Sequence, residues 1–250
     1  MTVHPVASGI QVSCGGRPHP LRFAEIVDVA RCTGLRFDDR TILTVEHLLS
    51  ALNGLGITDA LLEVEGPEVP ILDGSALPFA QGLWEAGRQH LGGQTRVEIE
   101  PVELAMDESR VRVAAGTGTL AVRIDYDHAA IGSQSMSITL TPDAYLNEVA
   151  PARTFGLLED AERLRALGLA LGASLDNTLV FSTDGPLTPP RFPDEPVRHK
   201  VLDLIGDLAL SGHSIYDLAV QAERPGHVVN VAAAMRLRAN NEEGRMGIED

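Results

Sequence analysis

The chain has 250 residues and a formal net charge of −15, from 20 Lys and Arg against 35 Asp and Glu. This acidic balance excludes nucleic acid as a general partner, because most of the surface would repel a phosphate backbone. An apolar content of 44% with only 22% charged residues is too hydrophobic for disorder, so the chain must fold around a real core.

Two features of the sequence bear on the compartment. Cys14 and Cys32 are the only cysteines, which is too few for a disulfide scaffold and fits a reducing environment. The first residues lack the pattern of a signal peptide, and no window of about 18 apolar residues follows. We therefore expect a cytoplasmic protein without stable membrane insertion.

The first part of the chain alternates helix-like and strand-like segments. A helix is predicted after Thr44, with Thr44 as a candidate N-cap, and the segment DALLEVEG is predicted to be a strand. A turn-rich segment then leads into a second helix, roughly Leu77–His90. The pair Gly92-Gly93 follows this helix and is our candidate domain boundary.

The chain beyond this boundary is richer in strands. Three successive segments from Thr95 onward alternate with turn residues, as an antiparallel meander does. Further short segments lead to a helix over Glu195–Ser211, where apolar residues recur at helical spacing. A last strand, in YDLAVQAE, and a last helix, opened by His227, complete an α+β pattern.

The helix in RHKVLDLIGDL carries one His and two Asp residues at intervals of four. His199, Asp203 and Asp207 therefore project near one helical face, and a His and an Asp one turn apart can bind one metal ion. A polar stripe on an exposed helix explains the same spacing. The pattern alone leaves both interpretations open.

Three further titratable residues stand at two predicted helix starts. Glu46 suits the positive end of a helix dipole, whereas His47, beside two leucines, is expected to be buried with a hydrogen bond or a metal. Two His and one Asp would make a three-ligand zinc site with an open fourth position, which is typical of catalytic zinc. For His227, local sequence favours a structural and a catalytic role equally.

Five separated motifs occur together in a recognisable order. The segments TVEHLLSALNGLGI, EVPILDGSALPF, ARTFG, RHKVLDLIGDL and PGHVVN resemble, in order and spacing, those of the UDP-3-O-acyl-N-acetylglucosamine deacetylase family (LpxC). The resemblance runs from about Gly9 to the C-terminus. It implies a zinc amidase of lipid A synthesis with two similar α+β domains, each mixing a small sheet with helices, that sandwich a zinc site at their interface. The expected domains are 1–93 and 94–250, with an inserted β-α-β unit at about 157–182.

The resemblance also implies a role for each residue of the site. His47, His199 and Asp203 become the Zn²⁺ ligands, and Glu46 becomes the general base for the attacking water.

The resemblance also implies which residues act on the oxyanion and on the leaving group. His227 becomes the cation that stabilises the tetrahedral oxyanion and protonates the leaving amine, and Asp207 orients it. Thr154 donates a hydrogen bond to the oxyanion.

Substrate contacts are implied at a further set of positions. Lys200 is expected to contact the diphosphate of the substrate, and the alternative interpretation is a solvated lysine. Cys32 is expected to lie near the site, and the alternative is a buried inert thiol. Phe155 and Gly156 are expected to contact substrate as well. A hydrophobic passage for an acyl chain, which ordinary helix packing explains equally well, would be lined by Leu158, Ala161, Leu164, Ala170 and Leu175.

The chain departs from the family pattern in three places. It starts after the leading strand and the T-G-x-G-L-H-S-G-like motif, it is shortened between Val12 and Cys32, and Ala129 replaces a usual proline. We expect a first domain without the leading elements. The expected partner is a small nucleotide sugar, with UDP-3-O-acyl-N-acetylglucosamine as the default, acted on by a monomer. The alternatives are a paralogue for a non-lipid N-acetyl sugar and a non-catalytic sugar-nucleotide binding protein.

Overall fold

The computed structural model describes residues 1–29, 32–92, 98–160, 172 and 174–246. Within these ranges the strands form four small sheets, and helices pack against one of them, so the α+β class is confirmed. Two of the sheets lie in the first part of the chain. One has the order β1-β7-β2-β3 and the other the order β4-β5-β6. Their strands are β1 (Thr2–His4), β2 (Ile10–Ser13), β3 (His19–Pro20), β4 (Glu25–Val29), β5 (Cys32–Phe37), β6 (Arg40–Ile42) and β7 (Ala60–Glu63).

The first helix, α1 (Glu46–Gly54), is buried along its whole length. The prediction that Thr44 caps it is wrong: Thr44 has a left-handed φ of 59°, and its hydroxyl donates to Glu68 Oε1 at 2.6 Å. Val45 occupies the N-cap position and offers no side-chain cap. Packing and main-chain contacts, rather than a local cap, therefore fix the start of α1.

The second helix, α2 (Leu77–Ala86), is shorter than the predicted Leu77–His90. It ends because Gly87 takes a left-handed φ of 82°, which stops a helix. In the turn before α2, Gly74 also has a φ of 82°, and a Cβ there would lie 1.7 Å from the carbonyl oxygen of Asn177. Only glycine allows this turn to touch the segment that precedes β13.

The largest sheet lies in the second part of the chain and has the order β11-β10-β15-β9-β8. The predicted meander is wrong at its centre, because the last strand of the chain, β15, separates β9 from β10 and runs parallel to β10. The short connection between β9 and β10 explains this order. The N–H groups of Gly116 and Gly118 donate to the carbonyl oxygens of Asp217 and Leu218, at the start of β15, rather than across a β9–β10 hairpin. The strands are β8 (Val102–Met106), β9 (Ser109–Ala115), β10 (Thr119–Asp125), β11 (Ser133–Thr139) and β15 (Leu218–Glu223).

A separate three-stranded sheet contains β12 (Phe155–Leu157), β13 (Leu179–Ser182) and β14 (Gly185–Pro186). β12 and β13 pair in parallel, so a crossover must connect them. Residues 158–160 are helical, and the predicted passage residues Ala161, Leu164 and Ala170 lie outside the described residues.

The two longest described helices are α4 (Glu195–Leu208) and α5 (His227–Met246). A shorter helix, α3 (Pro142–Ala144), precedes them and continues as a π-helical turn. The helix predicted over Glu195–Ser211 is confirmed, with its last three residues tightened into a 3₁₀ turn. None of the described helices combines the length and apolarity needed to cross a membrane.

The contact between α1 and α4 determines where the site lies. Gly206 of α4 faces the backbone of α1 so closely that a Cβ there would lie 2.0 Å from the carbonyl oxygen of Glu46. Buried apolar side chains of both helices, such as Leu48, Leu52 and Leu204, belong to one continuous core that extends into both parts of the chain. The first turn of α1 is therefore held directly against the polar face of α4.

Candidate metal centre

Two His residues and one Asp meet where α1 packs on α4. His47 comes from α1, and His199 and Asp203 stand one turn apart on α4. Their ligand atoms all lie within 4.8 Å of one another, and the Nε2 atoms of His47 and His199 are 3.8 and 3.3 Å from Asp203 Oδ1. All three side chains are buried. The reading of the α4 spacing as an exposed polar stripe is therefore wrong.

Both imidazoles are held in the neutral form that a metal requires. His199 Nδ1 lies 3.1 Å from the carbonyl oxygen of Ala152 and donates its proton there, which leaves the lone pair of Nε2 facing Asp203. Burial lowers the pKa of His199 to about 3 and also lowers the pKa of His47. Burial therefore favours the neutral form of both rings, and the Ala152 contact favours the His199 tautomer with a free Nε2.

Two buried polar atoms of this cluster lack a hydrogen-bond partner among the described residues. They are Asp203 Oδ1 and His47 Nδ1. An unpaired buried polar atom costs about 1–3 kcal/mol, so the arrangement needs an explanation. Lys200 Nζ donates to the other oxygen, Asp203 Oδ2, at 2.9 Å and leaves Oδ1 free for a cation. Two neutral imidazoles and one carboxylate are a donor set that suits Zn²⁺.

Lys200 forms an ion pair with Asp203 within the site. It is largely buried, and its ammonium also lies 5.6 Å from the centroid of the Phe155 ring. Burial alone would lower the pKa of Lys200, but the Asp203 carboxylate outweighs it and the pKa is raised. Burial likewise opposes ionisation of Asp203, yet His199 and Lys200 hold its pKa below the usual range. The alternative interpretation, a solvated lysine, is therefore wrong.

Glu46 precedes His47 and is buried, 3% exposed. The backbone N–H of Thr33 donates to its Oε2 at 3.0 Å. Burial raises the pKa of Glu46 to about 8, assisted by Asp203 and Asp207 and opposed by His227 and the Thr33 bond. Glu46 therefore binds a proton more readily than an ordinary carboxylate.

His227 opens α5 and is paired with a fully buried carboxylate. Its Nδ1 lies 3.0 Å from Asp207 Oδ2. Burial lowers the pKa of His227, but Asp207, with help from Asp203 and Glu46, overcomes this and raises it to about 9. The pair keeps His227 cationic at neutral pH, and its Nε2 lies 4.0 Å from Asp203 Oδ2.

Two further donors surround Asp207, and sequence analysis did not single out either. The Thr33 hydroxyl donates to Oδ1 at 2.7 Å, and the Asn230 amide donates to Oδ2 at 3.0 Å. Asn230 lies three residues after His227 inside the motif PGHVVN, so the motif itself could have indicated it. Thr33 has no comparable local signal.

The predicted substrate-contact residues lie at the edge of this cluster or beyond it. Thr154 is partly buried; its N–H donates to the carbonyl oxygen of Gly74 at 2.7 Å, and its own carbonyl accepts from Leu179. The Phe155 ring meets the His199 ring edge-on at 6.1 Å, and Gly156 follows in the same strand.

Three other predicted residues differ in exposure. Cys32 directly precedes Thr33 and is half-buried; burial raises the pKa of its thiol, and the Glu46 carboxylate adds to this effect. Leu158 and Leu175 are 46% and 49% exposed. The described side chains of the expected passage thus lie at the surface.

Fold and site together define an α+β protein with a buried His–His–Asp site for a metal ion, next to a carboxylate and a His–Asp pair. Comparison with known proteins agrees with this class. The sequence model of the family described as UDP-3-O-acyl N-acetylglycosamine deacetylase (LpxC) matches residues 1–239, and the chain belongs to this family. The resemblance inferred from the five motifs is confirmed.

Several relatives carry the name UDP-3-O-acyl-N-acetylglucosamine deacetylase. The protein of Syntrophotalea carbinolica is 39% identical over 226 residues, which cover 88% of this chain and 73% of the relative. That of Anaeromyxobacter sp. strain Fw109-5 is 41% identical over 226 residues, covering 88% and 74%. That of Nitratidesulfovibrio vulgaris is 39% identical over 251 residues, covering 96% and 81%.

Proposed function

We propose that this chain is a zinc-dependent deacetylase that hydrolyses the N-acetyl group of UDP-3-O-acyl-N-acetylglucosamine in lipid A synthesis. The relatives' shared name supports the substrate. The observation that carries the reaction type is the buried cluster of His47, His199 and Asp203 with Glu46 adjoining it in the chain. A water molecule adds to the amide carbonyl, the C–N bond breaks, and acetate and the free amine leave.

His47, His199 and Asp203 would hold the zinc ion. When bound, zinc supplies Lewis acidity and lowers the pKa of a water ligand to about 7. The α1–α4 contact fixes the three ligands relative to one another, because two of them share one helix and the third is carried by its packed neighbour.

Glu46 acts as the general base. Burial raises the pKa of Glu46, so its carboxylate form takes a proton from the attacking water more readily than an exposed carboxylate does. The N–H group of Thr33 fixes Oε2, so that Oε1 is the oxygen available for the water. Burial excludes bulk water from this exchange.

His227 acts as the acid. Its Nδ1 is occupied by Asp207, so the proton on Nε2 is the one directed to the developing oxyanion and then to the leaving amine. Its raised pKa keeps that proton in place at neutral pH. Thr154 would add a hydrogen bond to the oxyanion.

The remaining contacts belong to substrate binding. Lys200 would contact the diphosphate of the substrate, Phe155 and Gly156 would also contact the substrate, and Cys32 would border the reaction site. The acyl chain would follow a passage lined by Leu158, Leu164, Ala170 and Leu175. We also propose that the site lies between two domains, 1–93 and 94–250, the second with an inserted β-α-β unit at about 157–182; the parallel pairing of β12 and β13 supports this unit.

The decisive experiment follows acetate release from zinc-loaded protein given UDP-3-O-acyl-N-acetylglucosamine or the same sugar without the acyl chain. We expect acetate from the acylated substrate and a loss of about a hundredfold or more in Glu46→Gln, because the general base is removed. Asp203→Asn should lose stoichiometric zinc, whereas the control Asp194→Asn, on a carboxylate paired with Arg198, should retain it.

The outcomes separate the candidates. Faster turnover of the unacylated sugar would indicate a paralogue for another substrate. Binding without hydrolysis of any N-acetyl sugar, with zinc present, would refute the proposal that the chain is an enzyme and would indicate a sugar-nucleotide binding protein. Unchanged zinc content in Asp203→Asn would refute the metal assignment.

A further inference from the structure

Thr33, on β5, uses every polar group it has within the site. Its N–H donates to Glu46 Oε2 at 3.0 Å, and its hydroxyl donates to Asp207 Oδ1 at 2.7 Å. Its carbonyl oxygen accepts from the N–H of Val45 at 3.2 Å. The side chain is buried, 2% exposed. One residue of the first part of the chain thus joins the proposed base, the proposed acid pair and the start of α1.

We propose that Thr33 is a positioning residue that holds Glu46 and the Asp207–His227 pair in the relative geometry needed for consecutive proton transfers. This inference rests on the proposed function and extends it to a residue that acts through the proposed base and the proposed acid pair. The two groups come from α1 and from α4 with α5. The contact of Gly206 with the Glu46 backbone brings α1 and α4 together, and Thr33 adds hydrogen bonds to the carboxylates of both Glu46 and Asp207.

The hydroxyl proton decides how the contact works. The Thr33 hydroxyl has one proton, and the 2.7 Å distance to Asp207 Oδ1 assigns it there. A lone pair of the same oxygen then faces His227 Nδ1 at 3.3 Å and reinforces its bond to Asp207 Oδ2 at 3.0 Å. Asn230 occupies Oδ2 from another side. With donors on both oxygens, the Asp207 carboxylate cannot rotate, and the His227 ring keeps one orientation.

The backbone contacts of Thr33 serve the base. The N–H groups at the start of α1 have no side-chain cap, and the Thr33 carbonyl takes the Val45 N–H instead. The Thr33 N–H meanwhile fixes the Glu46 carboxylate. A shift of about 1 Å between a base and an acid can reduce a rate about a hundredfold, so these contacts bear directly on turnover.

The test separates the hydroxyl from the backbone contacts. Thr33→Val has the same shape and keeps the N–H and carbonyl contacts but loses the donor to Asp207. We expect its kcat to fall about tenfold to a hundredfold while KM and zinc content stay within about threefold of the wild type. Thr33→Ser restores the hydroxyl and should recover kcat to within about threefold.

A matched control distinguishes positioning from general destabilisation. Ser50→Ala also removes a buried hydroxyl, which lies one helical turn after Glu46 and accepts a hydrogen bond from Tyr145 at 3.0 Å. It should lower the melting temperature as Thr33→Val does but leave kcat unchanged. In the Asp207→Asn background, Thr33→Val should reduce kcat by less than about threefold, because the two residues act through one contact.

A spectroscopic measurement makes the result independent of the proposed activity. In protein labelled with ¹⁵N-histidine, the Nδ1 resonance of His227 should shift or broaden in Thr33→Val and return in Thr33→Ser. Unchanged kcat and an unchanged resonance in Thr33→Val, or an equal loss of kcat in both backgrounds, would overturn the positioning role. If the wild-type protein releases no acetate, the proposed function fails and the resonance alone decides the role of Thr33.

Discussion

Replacing Gly206 by alanine tests whether the close approach of α1 and α4 builds the metal site. A Cβ at this position would lie 2.0 Å from the carbonyl oxygen of Glu46, and backbone cannot rotate away as a flexible side chain can. The helices must separate by about 1 Å, and such overpacking costs about 1–3 kcal/mol. Alanine also stabilises the helix by about 1 kcal/mol relative to glycine, because its helix propensity is higher. We therefore expect a net loss of up to about 2 kcal/mol in the free energy of unfolding.

The matched control is the same change on another helix. Gly82 lies in α2, and a Cβ there meets no atom within 4 Å, so Gly82→Ala should stabilise the protein by up to about 1 kcal/mol. Both variants are measured by urea unfolding of the zinc-loaded protein, together with their zinc affinity. Separation of the helices moves His47 away from Asp203, so Gly206→Ala should also bind zinc more weakly.

The result that would refute this reasoning is simple to recognise. If Gly206→Ala is as stable as Gly82→Ala and binds zinc as tightly as the wild type, the helix contact does not set the ligand geometry.

Two other predictions follow from the charged groups of the interior. Asp207→Asn removes the carboxylate that raises the pKa of His227 to about 9. The protonated ring is the proposed acid, so activity should persist below this pKa, and in the variant the alkaline limb of the kcat–pH profile should move to lower pH. An unmoved limb would contradict the role of the pair. Arg153→Met leaves the fully buried Glu195 without its cationic partner and should destabilise the protein by about 3–5 kcal/mol in urea unfolding. Arg36→Met removes one partner of an exposed ion pair and should leave the free energy of unfolding nearly unchanged. Similar effects of the two variants would contradict the argument that the buried pair matters more.

The α4 part of the site could be predicted from the sequence because helical geometry alone places residues four apart on one face. His199, Asp203 and Asp207 follow this rule, and the structure adds only which side of the helix is buried. The partner helix could not be found that way. His47 reaches Asp203 across 156 positions of the chain, and the family motifs rather than any local pattern connected them.

Other features escaped sequence analysis for physical reasons. Thr33 contacts Asp207 at a separation of 174 residues, and a threonine in a strand has many ordinary explanations. The central position of β15 was missed because alternation of polar and apolar residues reports that one face of a strand is buried, not which strands are its neighbours. The predicted cap at Thr44 failed because main-chain contacts replaced it.

The position of β15 also constrains the order in which the molecule can assemble. Until residue 223 has been added to the growing chain, β9 and β10 lack the strand that joins them, and each exposes an unpaired edge. His227 follows the end of β15 by only four residues. A growing chain that still lacks β15 therefore also lacks His227, the proposed acid.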